Sequence, residues 1–235
     1  MADHDLMKNR VGLASPDWGG ESAEGTLAEQ AYRAIKSDII NGVRVPGERL
    51  RIEQLRGIYG ISPTPLREAL QRLSVMRLVT AENNRGFTVA PFIPAEFIDL
   101  NIARIAVEKA ALRMSLEKGG MAWESSVVAS LYVLEQEDRA LSEGRDGVPD
   151  SWDAANVAFH TALVSACGSE WLLWVRLQLQ EQCERYRRAS VAREMGSRSL
   201  HVEHSEIAEA ALARDADRLC DLIENHYNRT ARMFQ

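Results

Sequence analysis

Between residues 27 and 91 the apolar positions change their spacing several times, and each change predicts an element. Leu66, Ala69, Leu70 and Leu73 recur at three- and four-residue intervals and share one face of a helix, leaving Pro63, Thr64, Arg67, Gln71 and Arg72 on the other. Ser62 precedes this run and is a good N-cap, because its hydroxyl can accept first-turn amides. Prolines at a helix start lose no intrahelical hydrogen bond. Upstream, residues 52–59 predict a shorter helix, and Gly60 supplies the tight turn at which two helices cross. Downstream, residues 78–79 and 87–90 alternate as two short strands about a turn at Asn83-Asn84-Arg85-Gly86.

Any amphipathic helix shows leucines on one side and arginines on the other, so that helix alone is weak. The ordered series carries more weight: helix from residue 27, Pro46-Gly47 turn, short helix, second helix, hairpin. It describes a winged helix-turn-helix over residues 27–91, whose second helix lies in the major groove of duplex DNA.

From Ala95 onward every segment has helical spacing. Phe97, Leu100, Ile105, Leu112 and Leu116 trace a helix ending at Gly119-Gly120, and Val127, Leu131, Leu134 and Leu141 trace another ending near Gly144. A third covers about residues 150–166 and Gly168 closes it; three more run over about 170–191, 198–213 and 215–234, the last with Asp215 as N-cap. The fold class expected is mainly α: a winged domain followed by an all-α bundle of six to seven helices over residues 94–235. Pro91 and Pro94 flank Phe92-Ile93 as a short stiff linker, and residues 1–26, with Pro16, Gly19, Gly20 and Gly25, lack apolar periodicity and read as a flexible tail.

A net charge of −6 over 235 residues is unexpected for a DNA binder until it is divided. Residues 25–91 hold ten Lys or Arg against six Asp or Glu, residues 1–24 two against five, and residues 92–235 sixteen against twenty-three. Phosphate attraction depends on the local face, so an acidic second domain is compatible with binding. Cys167, Cys183 and Cys220 are odd in number and lack metal-type spacing, which suits a reducing compartment. No apolar run approaches the roughly 20 residues needed to cross a bilayer, and the acidic N-terminus is no signal peptide, so a cytoplasmic protein without membrane contact is expected.

The run from Leu27 to Pro91, with Ile61-Ser62-Pro63-Thr64-Pro65-Leu66-Arg67-Glu68-Ala69-Leu70 and Asn84-Arg85-Gly86-Phe87, resembles the DNA-binding domain of the GntR family of bacterial regulators. The resemblance implies that Ser62, Thr64 and Arg67 on the helix and Arg85 and Gly86 at the wing tip read the operator. It also implies a homodimer on a palindromic site, regulating transcription as a repressor. One departure is Pro63, where the family usually has an arginine, so the operator sequence need not be the commonest family type.

The histidines are the second informative feature. Asn156 and His160 are four apart on one helix face, while His204 and His226 belong to two further helices that a bundle could bring to the same point. Three neutral imidazoles plus a side-chain oxygen suit zinc or nickel with a position open for a small anion. Scattered histidines also occur as satisfied core or surface residues, and spacing alone leaves that alternative open.

Residues 94–235 resemble the all-helical FCD effector domain of one large GntR subgroup, with Phe159-His160-Thr161-Ala162-Leu163, Glu203-His204 and His226 at the places of its metal-ligand histidines. The resemblance implies His160, His204 and His226 as ligands, with Asn156 where the subgroup usually has an aspartate. An amide oxygen brings no charge, so metal affinity should fall, and His201 is a substitute candidate. Arg104 and Glu108 form an i, i+4 pair that would be solvated on a free helix, but an arginine at this place in the resembled domain often points into the cavity. Arg176 and Arg185 could take a second carboxylate. The segment 166–188 is similar to the CsiR branch, which implies a short dicarboxylate such as glutarate or its hydroxy form as effector.

The histidines also admit a function of a different class. Three histidines with an open position could activate water in a metal-dependent hydrolase. His-Glu-x-x-His is missing, however, and no carboxylate has the spacing of a positioned general base.

Overall fold

The structure, a computed structural model, describes residues 25–82, 86–143, 148–194 and 199–232. The winged half comprises α1 (Leu27–Ile40), β1 (Arg49–Leu50), α2 (Ile52–Tyr59), α3 (Pro63–Val75), β2 (Val79–Glu82) and β3 (Gly86–Val89). α1 begins at Thr26, whose hydroxyl accepts from the Glu29 amide at 3.2 Å. α2 ends on Gly60 at φ +67, a left-handed conformation that glycine adopts without steric cost, and this sets the crossing into α3.

The apolar faces of these elements form one core. Ile35, Leu55, Leu66, Leu70, Leu73, Leu78 and Val89 are at most 1 % exposed, and each such side chain contributes about 1.5–3 kcal/mol by leaving water. The sheet order is β1-β3-β2, both pairs antiparallel, with Leu50 opposite Phe87 and Val79 opposite Val89. β1 was not anticipated, because two residues are too short to show alternation.

Two local expectations about α3 need correction. Ser62 is the N-cap residue, but its side chain makes no capping bond. A capping hydroxyl accepts from the second or third helical amide; the third position here is Pro65, which has no N–H, and no bond forms to Thr64. Arg72 does not face the groove: its guanidinium donates to Glu29 at 2.7 Å and lies 4.3 Å over the Tyr32 ring, tying α3 to α1.

The second half consists of α4 (Pro94–Lys118), α5 (Met121–Ser142), α6 (Asp150–Val164), α7 (Glu170–Glu194), α8 (Leu200–Leu212) and α9 (Ala216–Arg232). All six helices follow the apolar periodicity, and Asp215 caps α9 by accepting from the Arg218 amide at 3.1 Å. α4 packs on α7 and α9, and α5 on α6 and α8, around Leu112, Val127, Leu134, Trp152, Phe159, Leu163 and Ile223. Gly119 lets the helices approach, since a Cβ there would meet Ser115 O and the Trp123 ring at 2.7 Å.

α7 also joins the two halves. Gln182 donates to the carbonyl of Met76, the C-cap of α3. Arg185 donates to the Ala90 and Pro91 carbonyls at 3.0 and 3.2 Å, and Lys36 of α1 faces Glu181 at 3.3 Å. Tyr186 stacks on Phe97 with ring centroids 4.3 Å apart and touches Phe92, so the linker is clamped between aromatic rings.

Candidate functional site

On the winged half, Ser62, Thr64 and Arg67 are exposed on one side of α3, where the leucines of its other side leave them. Among the described residues Arg67 has no hydrogen-bond or ion-pair partner. Gly86 is exposed at φ +94 at the start of β3, and Arg85 lies outside the described residues. An uncapped serine, a threonine and an unpaired arginine on a projecting helix are donors and acceptors directed outward, the chemistry that base edges and phosphates take.

In the bundle, α6, α8 and α9 bring His160, His204 and His226 together. Their candidate ligand atoms lie within 4.8 Å of one another, and the three residues are 2, 0 and 8 % exposed. The rings are oriented from behind. His204 Nδ1 is 2.7 Å from Asp138 Oδ2, and Asp138 Oδ1 also accepts from Trp152 Nε1 at 2.7 Å. His226 Nδ1 is 2.8 Å from Glu203 Oε2, whose other oxygen accepts from Arg229 at 2.6 Å. Holding Nδ1 on a carboxylate turns each Nε2 toward the centre, as outer-shell carboxylates do around bound metals. Burial, followed by the neighbouring imidazoles and arginines, holds His160 well below the ordinary histidine range, so its ring is neutral and able to ligate.

Asn156 is adjacent but turned. Its Nδ2 is 3.4 Å from His204 Nε2, whereas its Oδ1 accepts from Arg187. The three imidazoles therefore fit a divalent metal, and the amide oxygen expected as fourth ligand is bonded elsewhere. His201 is exposed and beside Ser199, away from the triad.

The predicted arginines separate. Arg104 lines the same pocket as Asn156, His160 and His226, with its guanidinium carbon 3.7 Å over the Tyr227 ring. It is 8 % exposed and its buried Nε has no partner, and the expected pair with Glu108 is not made. Glu108 instead takes Arg176 Nε on both oxygens at 3.0 and 2.9 Å, and Arg176 Nη2 donates to the His160 carbonyl at 2.8 Å. Arg176 thus braces α6 and does not line the pocket; Arg185 faces the interdomain linker.

Three further residues shape this site. Asp138 falls among Val127, Leu131, Leu134 and Leu141, and a carboxylate on an otherwise apolar stripe is a readable signal. Glu203 stands beside His204, where only the resemblance drew notice to it. Arg187 shares a helix face with Arg176 and Cys183 at spacings of 11 and 4, but without the fold nothing distinguishes it from a solvated arginine.

The model of the FCD domain matches residues 99–229, and that of the bacterial regulatory proteins of the gntR family matches residues 27–89. An HTH-type transcriptional regulator of Paraburkholderia xenovorans (strain LB400), BphR, is 37 % identical over 201 residues, 86 % of this chain and 82 % of the relative. The HTH-type transcriptional repressor GlaR of Escherichia coli (strain K12) is 36 % identical over 199 residues, 83 % of this chain and 90 % of the relative. Among solved structures, a putative transcriptional regulator GntR from Rhodococcus sp. RHA1 has a TM-score of 0.70 at 21 % identity over 89 % of this chain and 98 % of its own, a likeness of fold.

Proposed function

The chain belongs to the GntR family of bacterial regulatory proteins and carries an FCD domain, so it is a DNA-binding transcriptional regulator, and we propose that it is a repressor released from its operator by a small organic acid. The acid binds in the bundle beside His160, His204 and His226, with a divalent ion held by those three imidazoles. Such an ion, which the three imidazoles would hold, would supply a Lewis-acid contact for a carboxylate oxygen. Arg104 supplies a guanidinium with an open Nε, and the apolar wall of Phe97, Trp152 and Leu200 excludes water from the chain between.

The observation that carries this reading is a buried arginine with no ion-pair partner among the described residues, on the wall of a pocket beside a cluster of three buried histidines, His160 neutral and His204 and His226 each held by a carboxylate. A charge taken from water is costly unless paired, so such a site favours an anion. A short dicarboxylate such as glutarate is the first candidate, and the repressor GlaR among the relatives supports repression rather than activation.

The coupling follows α7. One face of this helix carries Cys183 and Arg187 at the pocket, and the other carries Gln182 and Arg185 on the winged half. A ligand that shifts the first face changes the hold of the second on Met76 and the linker, altering the placement of α3. Two copies would present two recognition helices to the half-sites of a palindrome, and Trp171, Trp174 and Leu177, all exposed on α7, offer apolar surface for a partner copy. No helix among the described residues is long and apolar enough to cross a membrane, and we place the protein's work on DNA in the bacterial cytoplasm. Water activation in a hydrolase finds no support, since the relatives are transcriptional regulators.

The test combines a thermal-shift screen of small organic acids, with and without chelator, with operator binding for wild type and His204→Ala. The expected result is that one class of acid stabilises the wild type and releases its DNA, while His204→Ala binds DNA within about twofold of wild type and no longer responds to acid. An unaltered acid response in His204→Ala would show that the pocket is elsewhere.

A further inference from the structure

Arg187 has no role in the site as predicted, yet its side chain is only 12 % exposed and it lines the same pocket as Arg104. Its Nη1 donates to Asn156 Oδ1, its Nη2 to Asp153 Oδ1 at 2.8 Å, and its Nε is buried without a partner. Asp153 does not belong to Arg187 alone. Its other oxygen accepts from Arg188, so one buried carboxylate faces two guanidinium groups. Asp150, the second partner of Arg188 at 3.0 Å, has a side chain 79 % exposed and is screened by water. Asn156 offers Arg187 an acceptor and no charge. Glu108 and Glu184 act on Arg104 and Arg187 without pairing with them, so the pocket holds two guanidinium groups of which only Arg187 has an ion-pair partner, the shared Asp153.

Cys183, one turn before Arg187 on α7, lines the wall with them, and its thiol feels both cations. The apolar part of the wall is Phe97, Trp152, Val191 and Leu200, beside Asn101, Tyr227 and Thr230. Two cations on an apolar-walled cleft match a ligand with two anionic ends and an aliphatic spacer, whereas one carboxylate satisfies only one of them. Burial pushes the Arg187 guanidinium below the usual arginine range, against the opposing pull of Asp153 and Glu184.

We propose that Arg187 is the specificity-determining residue of the effector site: it takes the second carboxylate of a dicarboxylate whose first lies at Arg104, and it is open to do so because residue 156 is an asparagine. This rests on the acid-binding reading above and names the residue that would select two carboxylates over one.

The matched probes are glutarate and pentanoate, which have the same number of carbons and differ by one carboxylate. Their binding is measured by calorimetry on the full chain, dialysed against EDTA and again with one equivalent of zinc. In the condition where wild type binds, it should prefer glutarate by at least tenfold. Arg187→Gln should bring that preference to within about threefold by weakening glutarate, with pentanoate nearly unchanged. Asn156→Asp keeps Arg187 and its packing but pairs it with a fixed carboxylate, and it should likewise bring the preference to within about threefold. This second variant keeps the test decisive if Arg187→Gln folds poorly.

Equal weakening of both acids by both variants would overturn the assignment and leave the acid site standing, as would a preference that neither variant moves. A wild type that binds neither acid in either condition would overturn the acid-binding reading and this one with it.

Discussion

In the winged half, Arg44 is the one buried polar or charged side chain among the described residues, and it is paired with Glu48 at 2.9 Å and near Asp38 at 3.6 Å. The bundle buries Asn101, Arg104, Glu108, Asp138, Asn156 and the three clustered histidines, with others besides. The first half folds on apolar burial and turns its working groups outward; the second builds its core around them. Substituting the groups that read DNA should therefore leave the fold alone, whereas substituting the groups that hold the effector site should weaken the fold as well.

The strongest way to break that contrast is Asp138→Ala. The carboxylate has no exposed surface and holds both Trp152 Nε1 and His204 Nδ1, so its loss leaves two buried polar groups without partners. The expected cost is about 3–5 kcal/mol of bundle stability, seen as a lower denaturant midpoint. A loss under about 1 kcal/mol would mean that the buried polar groups are not structural, and the contrast would fail.

A second difference concerns pH. The only histidine preceding the bundle is His4, so residues 25–91 hold no imidazole, whereas His160 is buried with its pKa well below the ordinary value of 6.5. In the unfolded chain His160 takes up a proton as pH falls through about 6.5, and in the folded chain it does so only at much lower pH. The unfolded state thus binds more protons in that window, and stability falls as pH falls, by about 1.4 kcal/mol per pH unit below 6.5. Unfolding of chelator-treated protein between pH 7.5 and 5 should show this slope for the bundle. His160→Gln should flatten it; an unchanged slope would assign the effect to another group.

The same contrast explains what could be read from the sequence. The winged site is local: Ser62, Thr64 and Arg67 lie within six residues, and helical periodicity alone says which face they take. Arg72 escaped that logic because a long side chain can bend back to a neighbouring helix, here to Glu29 and Tyr32. The bundle helices were legible for the same periodic reason, down to the Asp215 cap. The pocket was not, because its members are spread from Phe97 to Thr230 and only packing decides which arginine meets which carboxylate. Glu108 could pair with Arg104 on its own helix or with Arg176 on another, and it takes Arg176. The histidines were visible because neutral imidazoles are few; arginines are many, so Arg176 and Arg185 stood out while Arg187 did not.

The smallest stability change should come from α3. An N-cap serine replaced by alanine ordinarily costs about 1 kcal/mol. Ser62 makes no capping bond, since Pro65 removes the third amide, so Ser62→Ala should change stability by less than about 0.5 kcal/mol. Ser62 is exposed, as Arg67 is, so the substitution should still weaken operator binding. Arg67→Ala, with no partner to lose in the fold, should likewise leave the unfolding midpoint unmoved while lowering operator affinity by about 1–3 kcal/mol. Measured together, the two variants separate reading from folding. A stability loss near 1 kcal/mol in Ser62→Ala with operator affinity intact would make Ser62 an ordinary cap and remove it from the DNA-reading surface.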